Sequence, residues 1–169
     1  MRDLSHLLAD QRDVRTLLPL ILDAAIDLTR AERGFLVGVK AGKREGSRVR
    51  IKVEVARGFA KETLQGTQGK VSRTVVERVL DQNRSVVTTS EADQDVRDIS
   101  SVQARRVLSI LCVPMRLRGT ITAVLYLDHR FDSEVFTTRD IPIVEAFADQ
   151  AALAVETAQL LAERATGAE

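Results

Sequence analysis

The stretch Ser109-Ile110-Leu111-Cys112-Val113-Pro114-Met115-Arg116-Leu117-Arg118-Gly119-Thr120-Ile121-Thr122-Ala123-Val124-Leu125-Tyr126-Leu127-Asp128 decides the fold. Two apolar runs, Ser109 to Leu117 and Thr120 to Asp128, are broken only by Arg118-Gly119. A two-residue break ending in glycine between such runs is the mark of a tight β-hairpin. In the second run, side chains alternate between the two faces of a strand. Thr122, Val124, Tyr126 and Asp128 therefore share one face, and Ile121, Ala123, Leu125 and Leu127 the other. The second set is wholly apolar and is expected to meet a layer of helices. The first set holds the chain's one tyrosine, whose hydroxyl needs a partner when buried.

Upstream, Ser85 to Thr88 reads as a short strand, and Ser90 to Arg106 as a polar segment rich in Asp, Ser and Arg with a short helix near Ser100 to Arg106. Ser72 reads as the N-cap of a helix reaching Leu80, with Val75, Val76 and Val79 inside. Arg57 to Lys70 is irregular. Gly34 to Lys40 and Arg48 to Ala56 form a second hairpin around a polar turn at Gly42 to Ser47; the second of these runs alternates basic and apolar residues. The first 31 residues are helical in pattern, with Val14, Leu17, Ile21, Ala24 and Leu28 on one stripe, and Pro19 either kinks that helix or lies near the start of a second.

Downstream, Thr137 to about Arg164 reads as one long helix. Ile141, Val144, Ala148, Ala151, Val155, Ala158 and Ala162 recur at spacings of three and four, a heptad seam suited to side-by-side helix packing. They are expected to form a dimer interface. Phe147, Leu153, Leu160 and Leu161 lie on other faces, so this helix needs more than one partner. One face can cover the sheet and another can meet a second subunit.

A chain of 169 residues suits one domain and can bury roughly two thirds of its unfolded surface. The expected boundaries are a helical extension over 1–12, a domain over 13–165 and a tail over 166–169. The 25 basic residues, mostly arginine, nearly balance 24 acidic ones, which gives no general pull toward nucleic acid or an anionic membrane. The basic residues between Lys40 and Lys52 alternate with Gly and Ser and read as a solvated hairpin loop. No uncharged apolar run approaches the ~20 residues that span a bilayer, and the N-terminus carries no secretory pattern. With one cysteine, Cys112, the expected compartment is reducing and cytoplasmic.

Taken in order, several local strings resemble the GAF family. They are Ala31-Glu32-Arg33-Gly34-Phe35-Leu36-Val37, Ser109 to Met115, and Gly119 with Ala123 to Asp128; then Phe136 to Asp140, leading into Ala146-Phe147-Ala148-Asp149-Gln150-Ala151-Ala152-Leu153-Ala154. The resemblance spans about Val14 to Leu161. It implies an α+β fold: a central antiparallel sheet with terminal helices packed on one face and a ligand cleft on the other. PAS-like folds have similar sheets; the terminal helices and the 109–128 hairpin carry the distinction. GAF domains of this type are attached to bacterial transcription activators and signalling kinases, so a fused output domain is an implied partner, beside a homodimer partner and a small-molecule ligand such as a cyclic nucleotide or a metabolite.

Carried over by position, the cyclic-nucleotide members of the family imply ligand contacts at Gly34, Leu36, Ser100, Ser101, Val102, Arg105, Ser109 and Tyr126. Arg105 would pair with a phosphate or carboxylate, and Gly34 and Gly38 would leave room for a cleft wall beside Leu36. Those members often carry an Asn-Lys-Phe-Asp-Glu signature after the last strand. Here Asp128 and His129 stand where Asn and Lys would fall, while Phe136 and Asp140 match. A permanent Lys–Asp ion pair is therefore missing, which moves the expected ligand away from a cyclic nucleotide.

The remaining chemistry is sparse. The histidines are His6 and His129, and with one cysteine they form no nucleophilic or metal-binding constellation. Cys112 lies in an apolar strand, where free cysteine usually packs as core; it could not supply the intramolecular disulfide used by the methionine sulfoxide reductases of the family. Gly66 to Ser72 lacks the spacing of a phosphate loop, though a helix N-terminus at Ser72 could attract an anion. No cysteine between Ser72 and Arg106 could hold a bilin, and neither histidine falls where a haem ligand would. The expectation is a non-catalytic sensor without a cofactor, with a ligand-free dimerisation module as the alternative.

Overall fold

The computed structural model describes residues 14–44, 46–68, 70–89, 107–132 and 134–167. Its elements are α1 (Val14–Thr29), β1 (Arg33–Lys40), β2 (Arg50–Gly58), α2 (Arg73–Gln82), β3 (Val86–Thr89), β4 (Ser109–Leu117), β5 (Thr120–His129) and α3 (Asp140–Gly167). The extension over 1–12 and the short helix expected at Ser100 to Arg106 lie outside the described residues. Pro19 sits inside α1, which continues past it as one helix.

The strands form one antiparallel sheet in the order β2-β1-β5-β4-β3. β4 and β5 are joined at Arg118 and Gly119, whose φ values of 54° and 82° are both positive. A turn of this kind matches the twist of the strands it joins, and glycine takes one of its two positions without steric cost.

One face of the sheet lies under α1 and α3. Leu111, Val113, Leu125 and Leu127 pack there against Leu17, Ile21, Leu22 and Ile26 of α1 and Val144, Ala148 and Ala151 of α3. The other face lies under α2, where Phe35, Val37, Ile110, Cys112, Val124 and Tyr126 meet Val75, Val76 and Val79. Burying one such aliphatic side chain is worth about 1.5–3 kcal/mol, so each helix is fastened mainly by its apolar face. Arg57 of β2 adds a directional tie, donating from Nε and Nη2 to the two carboxylate oxygens of Asp23 on α1 at 2.9 and 2.8 Å.

The alternation along β5 holds from Ala123 to Asp128 but fails at Ile121, which packs with the α2 side. A register shift accounts for this: Met115 and Arg116, consecutive on β4, stand opposite Ala123 and Ile121, so Thr122 is an extra residue on β5 and reverses the parity beyond Ala123.

The dimer assignment of the α3 seam needs correction. Val144, Ala148, Ala151 and Ala158 are buried within the single chain, and Ile141 and Val155 pack partly buried against the same core; the side chain of Ala162 is outside the description. Three–four spacing reports only that one helical face is covered, and here the chain's own sheet and α1 cover it. The large apolar residues that α3 leaves outward are Ile143, Leu153, Leu160 and Leu161.

Candidate functional site

The site follows from β5 and its neighbours on the α2 side. Cross-strand register sets Phe35 opposite Tyr126, and Tyr126 opposite Cys112. The Phe35 and Tyr126 rings meet edge to face, 5.7 Å apart at 82°, the arrangement aromatic quadrupoles favour. Both are fully buried. The Tyr126 hydroxyl is met from above by the start of α2: the backbone amide of Ser72 donates to it at 3.0 Å. Ser72 is the N-cap of α2, as its sequence context predicts, and its Oγ accepts from the amide of Val75. The hydroxyl of a sheet residue thus sets the position of a helix N-terminus above it.

Two register positions further toward the sheet's end, on the same face, Arg33 of β1 stands opposite Asp128 of β5. Arg33 donates from Nε to Oδ1 at 2.8 Å and from Nη2 to Oδ2 at 2.6 Å. The Asp128 side chain is fully buried and that of Arg33 is 10% exposed. Burial pushes the Asp128 carboxyl up from its ordinary value, against the pull of the Arg33 guanidinium. The guanidinium also lies 5.4 Å from the Phe35 ring centroid, so it caps the aromatic pair.

A second ion pair crosses the same strand ends. Glu32 accepts from the backbone amide, Nε and Nη2 of Arg130 at 3.0, 3.0 and 2.7 Å. Burial raises the Glu32 carboxyl, but these hydrogen bonds and the charges of Arg130 and Arg33 outweigh it and hold its pKa below the ordinary value. The strings Glu32-Arg33 and Asp128-His129-Arg130 carry complementary charges, and that complementarity was the sequence signal for both pairs.

The expected ligand residues are scattered by the fold. Tyr126 alone among the described ones lines the α2 side. Gly34 and Leu36 belong to the opposite face: a Cβ at Gly34 would sit 3.2 Å from Ile26 of α1 and from Leu127, and Leu36 is part of the core beneath α1 and α3. The space at Gly34 lets a helix approach the sheet and is no cleft wall. At Gly38 the corresponding position is taken by Glu54. Ser109 stands opposite His129 on that same helix-covered side, buried, and its Oγ has no hydrogen-bond partner among the described residues. Ser100, Ser101, Val102 and Arg105 lie outside the described residues. Asp140 is spent locally, its carboxylate accepting from the amide of Thr137 at 2.8 Å at the start of α3, while Nδ1 of His129 accepts from the amides of Phe131 and Asp132. No ion pair joins Asp140 and His129.

A GAF domain family model matches residues 11–156. The chain belongs to the GAF family. No match was found among curated protein sequences. Among solved structures, this GAF domain is similar to residues 122 to 287 of a methyl-accepting chemotaxis protein, with a TM-score of 0.67 at 20% identity over 94% of this chain and 98% of that one. It is similar to the GAF domain of cyanobacteriochrome TePixJ, with a TM-score of 0.62 at 14% identity over 90% and 95%. It is also similar to the free methionine-R-sulfoxide reductase of Neisseria meningitidis in complex with its substrate, with a TM-score of 0.62 at 16% identity over 92% and 86%. At these identities the likeness is one of fold. No helix among the described residues is long and apolar enough to cross a membrane.

Proposed function

We propose that this GAF domain is a non-catalytic sensor. A small molecule binds on the α2 side of the sheet, and β5 passes the effect to the terminal helices. The observation that carries this reading is the alternation of β5. Tyr126 and Asp128 face α2, while Leu125 and Leu127, one residue away on either side of Tyr126, are packed beneath α1 and α3. A strand cannot shift one face without shifting the other. A ligand that competes for the Tyr126 hydroxyl or for Arg33 therefore acts on the helix layer as well.

Output follows from the outward seam of α3. Ile143, Ala146, Gln150, Leu153, Thr157 and Leu160 are all exposed and recur at spacings of three and four. This is a second heptad face beside the buried one. It pairs with its counterpart in a second copy, and the paired helices pass the signal to a fused transcription regulator or kinase in the cytoplasm, without direct contact to nucleic acid or membrane.

Cys112 supports the non-catalytic reading. It is fully buried on the sheet, and burial pushes its thiol far up from the ordinary range, whereas thiol chemistry needs an accessible thiolate. A second reading, a ligand-free dimerisation module, is favoured by the filled packing of Phe35, Tyr126, Val75 and Val79 between sheet and α2. A thermal-shift screen with cyclic nucleotides and common metabolites separates the two. The sensor reading expects at least one compound to raise Tm; uniform failure selects the second reading.

A further inference from the structure

A groove of about 570 Å³ opens where α1 hands over to β1, away from the Tyr126 face, lined by apolar Ile26, Ala31, Phe59 and Phe131. Its volume falls within the range of small-molecule sites, roughly 300–1,000 Å³. Phe59 and Phe131 are 69% and 76% exposed, the most exposed of the chain's described large apolar side chains. Yet Phe131 is held in place. The Arg130 guanidinium lies 5.3 Å from its ring centroid, and the His129 ring meets it edge-on at 6.3 Å. Arg130 is itself fixed by Glu32, and His129 by the amides of Phe131 and Asp132. An aromatic ring kept in water and braced from behind is a stacking platform without its stack.

The charges around the groove decide what kind of ring fits. The Glu32 carboxylate is committed to Arg130, and Asp27 lies 3.6 Å from Lys61. Arg30 also lines the groove, exposed at the left-handed turn that ends α1. Among the described residues its guanidinium makes no hydrogen bond or ion pair. The uncommitted charge at the groove is therefore positive and carries a planar fork of donors suited to a carboxylate or sulfonate.

We propose that this groove binds a planar aromatic monoanion, an aryl carboxylate or aryl sulfonate. Its ring stacks at Phe131 and Phe59, and its acid group is held by Arg30. The site stands apart from the sensor cleft, because Ile26 belongs to the core on the opposite side of the sheet from Tyr126.

The test uses the fluorescence of 1-anilinonaphthalene-8-sulfonate and of its uncharged counterpart N-phenyl-1-naphthylamine, titrated into the folded full chain, with circular dichroism on every variant. The sulfonate is expected to saturate one site. Phe131→Ala and Phe59→Ala each weaken both probes about tenfold, the loss expected when a stacked ring is removed. Arg30→Gln weakens the sulfonate about fivefold or more and leaves the neutral probe unchanged. Leu153→Gln leaves both unchanged. Affinity that survives both Phe→Ala variants, or is lost in Leu153→Gln, overturns the site. Equal losses of both probes in Arg30→Gln overturn the anionic class of ligand.

Discussion

Arg33 and Asp128 face each other across β1 and β5 and are joined by two hydrogen bonds of 2.8 and 2.6 Å, with the carboxylate fully buried. They close the end of the Tyr126 face and tie the two strands that lead to the helix layer. Removing one partner leaves the other as an uncompensated, nearly buried charge, a loss of about 3–5 kcal/mol. Asp128→Ala and Arg33→Ala should each lower the urea midpoint accordingly. The double variant Arg33→Met with Asp128→Leu should lose clearly less than the sum of the two. Additive losses would mean that the pair is not coupled as its geometry states.

Glu32 sets an acid-side dependence. Its folded pKa lies below the ordinary carboxyl value of 4.5, because the hydrogen bonds from Arg130 and the nearby arginine charges outweigh burial. The unfolded chain therefore takes up this proton first as the pH falls. The stabilisation is fully present above about pH 4.5 and is lost as the pH drops through the lower folded value. Asp128, raised by burial, contributes with the opposite sign, so the two must be separated by substitution. Denaturant curves for the wild type and Glu32→Gln should differ in stability near pH 6 and converge as the pH approaches 3. A constant difference would contradict the assignment.

The two seams of α3 separate folding from association. Ala151 is 2% exposed and Leu153 60% exposed, two residues apart on one helix. Ala151→Glu places a charge in the core and should unfold the domain or cost several kcal/mol. Leu153→Glu should leave the circular dichroism spectrum intact and convert a dimer to a monomer by sedimentation. A wild type that stays monomeric at high concentration removes the outward seam from the account.

Cys112 should be inert in the native state. Its burial predicts no labelling by iodoacetamide until the chain is unfolded, when it reacts fully. Native labelling on the timescale of a free thiol would reopen the thiol-enzyme reading.

The hairpin at Arg118-Gly119, the N-cap at Ser72 and the two faces of β5 were legible in the sequence, because each rests on local chemistry: a turn with positive φ, a capping oxygen, the period of a strand. What lay beyond local chemistry was misplaced or missed. Gly34 and Leu36 were carried to the cleft, because the face of β1 is fixed only by its register with β5, where Phe35 is opposite Tyr126. The Ile141 seam was read as an interface, because periodicity shows that a helical face is covered and not by what. Ile121 changed sides through a bulge at Thr122 of its own strand that no local pattern marks. Arg33 and Asp128, 95 residues apart, show no sign of their pairing except complementary charge at the ends of two strands.

Coupling through β5 is the central claim, and hydrogen exchange tests it most directly. The wild type is compared with and without the compound that raises Tm most in the screen. Binding on the Tyr126 face should slow exchange at Ser72 to Val76 and around Tyr126, and should also change it in α3 between Val144 and Ala158, where the helix lies over β4, the strand paired with β5. Protection confined to α2 and β5, with α3 exchanging as in the free domain, would contradict the account.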